Sequence, residues 1–138
     1  MTPFEKLLVA HLVGDWILAQ TTWEALNKEK NWLACGSHAL KWTLCLLAGL
    51  WWIREWGAFS WKQDATLLIT LAAMGLLHGL LDRRWLVERI IQVKEYIPLG
   101  LPLMAPGSGE KPPFFVVICV DQVLHVVQVA VLASLAAA

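Results

Sequence analysis

The sequence predicts an all-α integral membrane protein, a bundle of four transmembrane helices with an interfacial amphipathic extension after the third. Of its 138 residues 58% are hydrophobic and only 16% are charged, with a mean hydropathy of +0.57, whereas an average soluble domain has roughly 25% charged residues. The length suits one domain, which we assign to residues 1–138. The formal net charge is +0, so we expect no nucleic-acid partner.

Four apolar stretches approach the roughly 20 residues that a helix needs to cross a bilayer. They cover residues 4–22, 33–53, 65–82 and 114–137, and the first and third are short for a crossing. The segment "TTWEALNKEKN" is typical of a loop, "REWGAFSWKQD" of a turn, and "PLGLPLMAPGSGEKPP" of a helix break. The segment "RRWLVERIIQVKEY" predicts the amphipathic extension, because its apolar residues recur on one helical face. They are Leu86, Val87, Ile90 and Ile91.

Basic residues predict the orientation. With four crossings, the loops after the first and third helices share one side and carry Lys28, Lys30, Arg83, Arg84, Arg89, Lys94 and Lys111. The other side carries Lys6, Arg54 and Lys62. The positive-inside rule therefore places the basic loops in the cytoplasm and both termini outside, for a multi-pass membrane protein.

Tryptophans fit two aromatic belts at the membrane surfaces. One group is predicted at the outer turn, Trp51, Trp52, Trp56 and Trp61, and another at the cytoplasmic ends, Trp23, Trp32 and Trp85. For Trp16 and Trp42 we favour lipid or helix packing.

Seven histidine and aspartate side chains fall inside the predicted spans, where an aspartate at a helix centre costs about 2.5 to 3.5 kcal/mol on insertion scales. They are His11, Asp15, His38, His78, Asp82, Asp121 and His125. Six of them form pairs four positions apart, so each pair shares a helical face. The first and fourth helices run in opposite directions and carry their histidine–aspartate pair in opposite sequence order. Measured from the cytoplasmic end of each helix, the aspartate therefore lies at a depth of roughly 10 Å and the histidine at roughly 16 Å in both. This mirrored placement predicts that the side chains face one another.

Imidazole and carboxylate groups together suit a divalent metal, with Zn²⁺ favoured and Mn²⁺ as the alternative. The seven residues suffice for one ion with surrounding hydrogen-bonding groups, or for two ions. Asp15 or Asp121, where it is not a ligand, is the candidate catalytic base. Gln20 and Gln122 are candidates to orient ligands or to bridge helices, and Lys41 is expected to extend to the membrane surface.

The stretches "HLVGDWILAQTTWEALNK", "HGLLDRR" and "DQVLHVV", with a lone histidine early in the second span, together resemble a family of small bacterial and phage-borne inner-membrane proteins. It is catalogued as domain of unknown function 3307, and the resemblance covers essentially the whole chain. It implies a multi-pass protein of the bacterial inner membrane, and the predicted orientation then places both termini in the periplasm. It implies that the family's polar positions correspond to His11, Asp15, Gln20, Asn27, Lys28, His38, His78, Asp82, Asp121, Gln122 and His125. In its membrane-embedded histidines and aspartates, the chain is also similar to inner-membrane proteins labelled metal-dependent hydrolases.

Three functions are compatible with this pattern. The first is a metal-dependent hydrolase acting on a membrane or lipid-linked substrate, with His11, His78, His125 and one or two aspartates on the metal. Arg83 and Arg84 are placed to meet a lipid phosphate, although the positive-inside rule alone explains them.

The second function is a proton or divalent-ion transporter or channel module, assembled as a homo-oligomer. The third is a non-catalytic membrane partner whose cluster only locks helices together and whose segment 97–113 docks another protein. Membrane lipids are expected partners of all three. The sequence contains no G-x-S-x-G, H-E-x-x-H or phosphate-cradling glycine loop, so other hydrolase chemistries lack support.

Overall fold

A computed structural model describes residues 1–18, 20–53, 61–96 and 113–137, and every regular element within these ranges is helical. The elements are α1 (Pro3–Leu12), continued without a break by a π-helical segment (Val13–Leu18), then α2 (Thr22–Asn27), α3 (Trp32–Ile53), α4 (Trp61–Asp82), α5 (Trp85–Tyr96) and α6 (Phe114–Ala137). The all-α class is confirmed, and α6 has the bounds that hydropathy predicts.

Capping residues explain where the first two α-helices begin. At α1, the Thr2 hydroxyl accepts a hydrogen bond from the Glu5 backbone N–H at 3.3 Å, and the Glu5 carboxylate accepts one from the Thr2 N–H at 2.8 Å. Thr21 and Glu24 form the same capping box at α2. The prediction of a loop after the first span is therefore wrong over Thr22–Asn27, because this box supplies a helix start.

Four helices close into a ring. The first helical run, α1 with its π-helical segment, packs on α3 and α6, while α4 packs on α3 and on α6. The main core lies between them and includes the fully buried Leu7, Trp42, Leu46 and Leu132. The short α2 packs on α3, and α5 packs on α4 and α6.

Two glycines let helices approach α3 closely near the polar residues. A Cβ atom added at Gly14 would lie 2.8 Å from the Cys45 Cβ, and one added at Gly79 would lie 3.3 Å from the Ala39 Cβ. Small residues of this kind allow close backbone contact between membrane helices. Because Gly14 precedes Asp15 and Gly79 follows His78, both polar side chains are brought towards α3.

Three helices are long and apolar enough to cross a membrane, Trp32–Ile53, Lys62–Asp82 and Phe114–Ala137. The first run combines ten α-helical and six π-helical residues, which is shorter than the 17 to 25 or so that a crossing usually takes. Membrane character is thus supported by three helices, while the fourth crossing is not confirmed. The inner membrane and the orientation of the termini stay predictions.

The extension α5 forms as a helix, but its predicted apolar face is only partly covered. Val87 and Ile91 are buried in a small cluster with Leu81 and Val117, whereas Ile90 is exposed. An interfacial position for α5 therefore stays a prediction.

Several sequence predictions fall on residues outside the described ranges or on side chains that the structure does not describe. They concern Arg54, Trp56, Trp61, Lys94, Lys111 and the docking segment 97–113.

Candidate metal centre

Three buried side chains from three different helical segments meet at one end of the bundle. Asp15 lies on the π-helical segment, His38 on α3 and His78 on α4, and one ligand atom from each lies within 4.8 Å of the other two. The Asp15 Oδ1 accepts a hydrogen bond from the His38 Nε2 at 3.0 Å and lies 3.9 Å from the His78 Nε2. π-Helical segments are rare and occur frequently at functional sites.

Asp82 completes this group from the end of α4. Its Oδ2 lies 3.2 Å from the Nε2 of His38 and 3.3 Å from that of His78, while its Oδ1 forms an ion pair with the Lys28 Nζ at 2.7 Å. The same ammonium lies 3.3 Å from the His38 Nε2. Lys28 therefore places a positive charge directly beside the cluster.

A second set of polar groups lies next to His78. The His125 ring centroid is 4.3 Å from that of His78, and the His125 Nδ1 is 3.5 Å from the Asp121 Oδ2. The Trp42 ring stacks on His78 with a centroid distance of 4.1 Å and an interplanar angle of 7°. This stacking fixes the plane of the His78 imidazole.

His11 joins the cluster through Trp42. The Trp42 Nε1–H donates a hydrogen bond to the His11 Nδ1 at 2.8 Å, so a neutral His11 carries its proton on Nε2. The His11 ring centroid lies 5.8 Å from that of His125. Metal ligation by His11 stays a prediction, and it requires this hydrogen bond to break or the Nε2 proton to leave.

The structure thus brings all seven residues of the predicted cluster together, through contacts that cross between helices. Asp82 lies close to His78 and Asp121 close to His125, each four positions away on the same helix. Asp15 instead accepts its hydrogen bond from His38 on α3. Asp121 is the most exposed of the seven, and its carboxylate faces a cavity. Which of them are ligands or catalytic groups stays a prediction.

Several buried atoms of the cluster have no hydrogen-bond partner among the described residues. They are the Nδ1 of His78, the Nε2 of His11 and of His125, and the Oδ1 of Asp121, whereas the His78 Nε2, the Asp82 Oδ2 and the His125 Nδ1 have only the ion-pair contacts given above. Buried polar groups in proteins are nearly always hydrogen-bonded, and leaving one unsatisfied costs about 1 to 3 kcal/mol. The unused groups are imidazole nitrogens and carboxylate oxygens, which are the donor atoms that a divalent transition metal takes. The residues therefore fit a metal ion.

A cavity of about 230 Å³ lies beside the cluster, at the end of the bundle near α2. Its polar lining includes the three aspartates Asp15, Asp82 and Asp121 and the cations Lys28 and Arg84. Gln20 and Gln122 also line it, and the Gln122 Nε2 lies 3.4 Å from carboxylate oxygens of both Asp15 and Asp121. The placement of both amides beside the aspartates agrees with an orienting role, which stays a prediction.

Sequence reasoning overlooked Glu24, which holds α2 on α3. Its carboxylate accepts hydrogen bonds from the Lys41 Nζ at 2.6 and 2.7 Å and from the Ser37 Oγ at 2.6 Å. Burial raises the pKa of Glu24, but the Lys41 ammonium and the hydrogen bonds from Ser37 and Thr21 outweigh it and lower the pKa to about 2. Lys41 is thus engaged by Glu24 rather than only extended to the surface. The signal was the T-x-x-E spacing of "TTWE".

For Trp42 the sequence favours lipid or helix packing, and its contacts with His11 and His78 are the second feature that sequence reasoning overlooks. It is fully buried in the core. No pattern in the sequence separates it from the other tryptophans.

Comparison of the chain with models of known protein families, with curated proteins and with solved structures gives no match. Membership in the family of domain of unknown function 3307 stays a proposal.

Proposed function

We propose that the protein is a metal-dependent hydrolase that acts on a membrane or lipid-linked substrate. One observation carries the proposal. Ligand atoms of the buried Asp15, His38 and His78 lie within 4.8 Å of one another, beside a cavity that opens on the same end of the bundle. We favour Zn²⁺ as the ion, with Mn²⁺ as the alternative, because both accept mixed imidazole and carboxylate ligands.

In this proposal Asp15, His38 and His78 hold the ion, and the Asp82 Oδ2 provides a fourth contact next to both imidazoles. When bound, a divalent metal acts as a Lewis acid and activates water for hydrolysis near neutral pH. His38 would bind the ion through its Nε2 as the neutral tautomer whose proton is on Nδ1, since only a neutral imidazole nitrogen with a free lone pair coordinates metal. Trp42 keeps the His78 ring in position by stacking on it.

Asp121 is the proposed general base. Its Oδ1 has no hydrogen-bond partner among the described residues, and its side chain lines the cavity where a substrate enters. Asp15 is less suited to this role because its Oδ1 is engaged by His38 at 3.0 Å. The Lys28 ammonium stands where it can compensate negative charge that develops on the substrate.

The packing of the bundle favours a hydrolase over a channel. On the side of the cluster away from the cavity, the helices are closed by a buried apolar core that includes Leu7, Leu46 and Leu132. An ion path across the membrane needs polar or wet surroundings along its length, whereas the seven histidine and aspartate residues of the cluster lie at one end and fully buried leucines follow them in the core.

Metal content tests the proposal most directly. The protein is purified in mild detergent with Zn²⁺ and analysed by mass spectrometry, and we expect stoichiometric zinc in the wild type and a loss of at least half of it in His38→Ala and His78→Ala. The matched control is His11→Gln, which removes a buried histidine whose Nδ1 is already occupied by Trp42 and should retain the metal. Circular dichroism and size-exclusion profiles verify folding. Zinc contents that are equal in all four proteins, or absent from all, contradict the site.

Hydrolysis and flux separate the enzyme from the transporter. The zinc-loaded wild type should release water-soluble product from radiolabelled bacterial membrane lipid, and Asp121→Asn should reduce the release while retaining zinc. Proteoliposomes should show no zinc or proton flux. Flux without hydrolysis would identify the transporter instead.

A further inference from the structure

We propose that the cavity beside the cluster is a headgroup pocket for a phosphate-bearing membrane amphiphile, and that it takes the phosphate only when a divalent metal occupies the neighbouring site. This inference rests on the proposed function, because it names the substrate class of that same site. Two properties of the cavity go beyond a metal site alone, namely the phosphate chemistry of its ligand and the dependence of ligand binding on the metal.

Size determines which part of a ligand enters. The cavity has about 230 Å³, below the 300 to 1,000 Å³ or so that pockets for drug-sized ligands occupy. A whole lipid therefore does not fit, and a headgroup of a few heavy atoms does. The remainder of the ligand has to stay outside the protein.

The rim of the cavity is suited to the apolar remainder. Trp16 and Phe114 line the cavity while their side chains are 62% and 61% exposed, and the half-buried Ile118 also lines it. In a chain with membrane-crossing helices, exposed aromatic side chains at a helix end lie at the membrane surface. A hydrocarbon tail that leaves the cavity past these residues enters lipid directly.

Charge makes phosphate binding depend on the metal. The lining contains three carboxylates, from Asp15, Asp82 and Asp121, against two cations, Lys28 and Arg84, which leaves one formal negative charge. An anionic headgroup is repelled by this balance, whereas a divalent ion held by Asp15 and its histidines changes it to one formal positive charge. The electrostatic preference of the cavity therefore reverses when the metal binds.

Arg84 supplies the donors that suit phosphate. Its φ angle is 60°, in the left-handed region that glycine occupies freely and that is unfavourable for other residues. Its Nη1 donates to the Glu29 Oε2 at 3.1 Å and its guanidinium lies 4.8 Å from the Phe114 ring centroid, at the rim. Strained backbone of this kind occurs at ligand clamps, and a guanidinium binds phosphate through two parallel hydrogen bonds.

The test measures binding instead of turnover. Isothermal titration calorimetry on the detergent-purified full chain uses three probes, dioctanoyl phosphatidic acid, dioctanoylglycerol and inorganic phosphate, each with one equivalent of Zn²⁺ and with EDTA. We expect phosphatidic acid to bind at least tenfold more tightly with zinc than with EDTA, and at least tenfold more tightly than either other probe. Arg84→Gln should weaken the zinc-dependent binding by about tenfold while retaining zinc.

The matched control is Arg83→Gln, which removes the same charge one residue earlier. Arg83 lies over the Trp32 ring at 4.1 Å and does not line the cavity, so this variant should bind like the wild type. Arg84→Lys, which keeps the charge without the two-pronged geometry, should bind with intermediate affinity and serves if Arg84→Gln does not fold.

The outcomes distinguish this inference from the proposed function. Stoichiometric zinc without phosphatidic acid binding overturns the headgroup pocket and leaves the metal site standing. Equal affinity for phosphatidic acid with zinc and with EDTA overturns the metal dependence. Equal losses of affinity in Arg83→Gln and Arg84→Gln overturn the role of Arg84 in the cavity, because they would show that only the general surface charge matters. Equal binding of dioctanoylglycerol overturns the phosphate chemistry, and equal binding of inorganic phosphate overturns the amphiphile. A protein that binds no zinc at all contradicts the proposed function as well.

Discussion

The ion pair between Lys28 and Asp82 allows the charge balance of the cluster to be tested by its effect on folding stability. The Nζ–Oδ1 distance is 2.7 Å, and the two side chains are 13% and 3% exposed. Removing one partner of a buried ion pair typically costs 3 to 5 kcal/mol, roughly, because the other charge is left uncompensated. Two imidazole nitrogens remain within 3.3 Å of the Asp82 carboxylate and soften the loss, so we expect Lys28→Met to lower the free energy of unfolding by about 3 kcal/mol.

A double-mutant cycle isolates the pair. Asp82→Asn should cost less than Lys28→Met, because the freed ammonium is partly exposed and can reach water. The double variant should then be more stable than the sum of the single losses predicts, with a coupling energy of about 2 kcal/mol. Lys30→Met is the matched control, since this exposed lysine lies two residues away and its removal should change stability by less than about 0.5 kcal/mol.

The stability loss of Lys28→Met should differ between the zinc-bound and the zinc-free protein. If a divalent ion binds beside Asp82, it replaces the positive charge that Lys28→Met removes, and the loss of stability should shrink by at least half when zinc saturates the protein. Reversible unfolding by sodium dodecyl sulfate in mixed micelles, followed by circular dichroism with EDTA and with zinc, measures both values. A coupling energy below about 0.5 kcal/mol would refute the electrostatic argument. A loss of stability that is the same with and without zinc would show that the ion does not bind next to Asp82.

Three further predictions concern the residues around the cluster. Trp42→Phe should lower the free energy of unfolding by about 1 to 3 kcal/mol, because the His11 Nδ1 loses its donor while buried, and in unfolding experiments the loss should be smaller in a His11→Leu background. The stabilising contribution of Glu24 should be complete above pH 4.5, the ordinary pKa of a glutamate, and decline as the pH falls towards about 2, since the interactions that lower the pKa stabilise the charged carboxylate in the folded state and are lost as it becomes protonated. Unfolding measured across this pH range should show less decline for Glu24→Gln than for the wild type. Arg84→Gly should be more stable than Arg84→Ala by about 1 kcal/mol in the same assay, because both lose the side chain but only glycine relieves the left-handed backbone, and equal stabilities would contradict strain at this position.

The features that could be predicted from the sequence are those that depend on local pattern. Hydropathy places α6 at its observed bounds, because a long apolar run forms a helix whatever it packs against. The four-residue spacing of histidine and aspartate, combined with alternating helix direction, predicts that Asp15 and His78 point to the same region. Both predictions require only a helical period and a membrane thickness.

The features that could not be predicted depend on contacts between distant segments. The π-helical segment from Val13 to Leu18 changes the direction of Asp15, and no residue type in the sequence signals it. The stacking of Trp42 on His78 requires α3 to approach α4 closely at Gly79, which is a property of the packed pair of helices. By contrast, α2 could have been predicted from its capping box, because Thr21 and Glu24 show the T-x-x-E spacing.

The pattern of hydrogen bonds in the cluster bears on whether it only locks the helices together. A polar lock stabilises a bundle when its members satisfy one another, and a partly satisfied network is worse than an apolar core. Here Trp42 satisfies His11 on one side, and the His78 Nε2 and the His125 Nδ1 each lie within 3.5 Å of a carboxylate oxygen, yet the His78 Nδ1 and the His125 Nε2 are buried without a hydrogen-bond partner among the described residues. Two unsatisfied ring nitrogens would cost about 1 to 3 kcal/mol each, and apolar residues of similar size would avoid that cost. This set of side chains stabilises the fold when a bound ion takes the lone pairs of the imidazole nitrogens. For this reason we favour a bound metal over a structural lock.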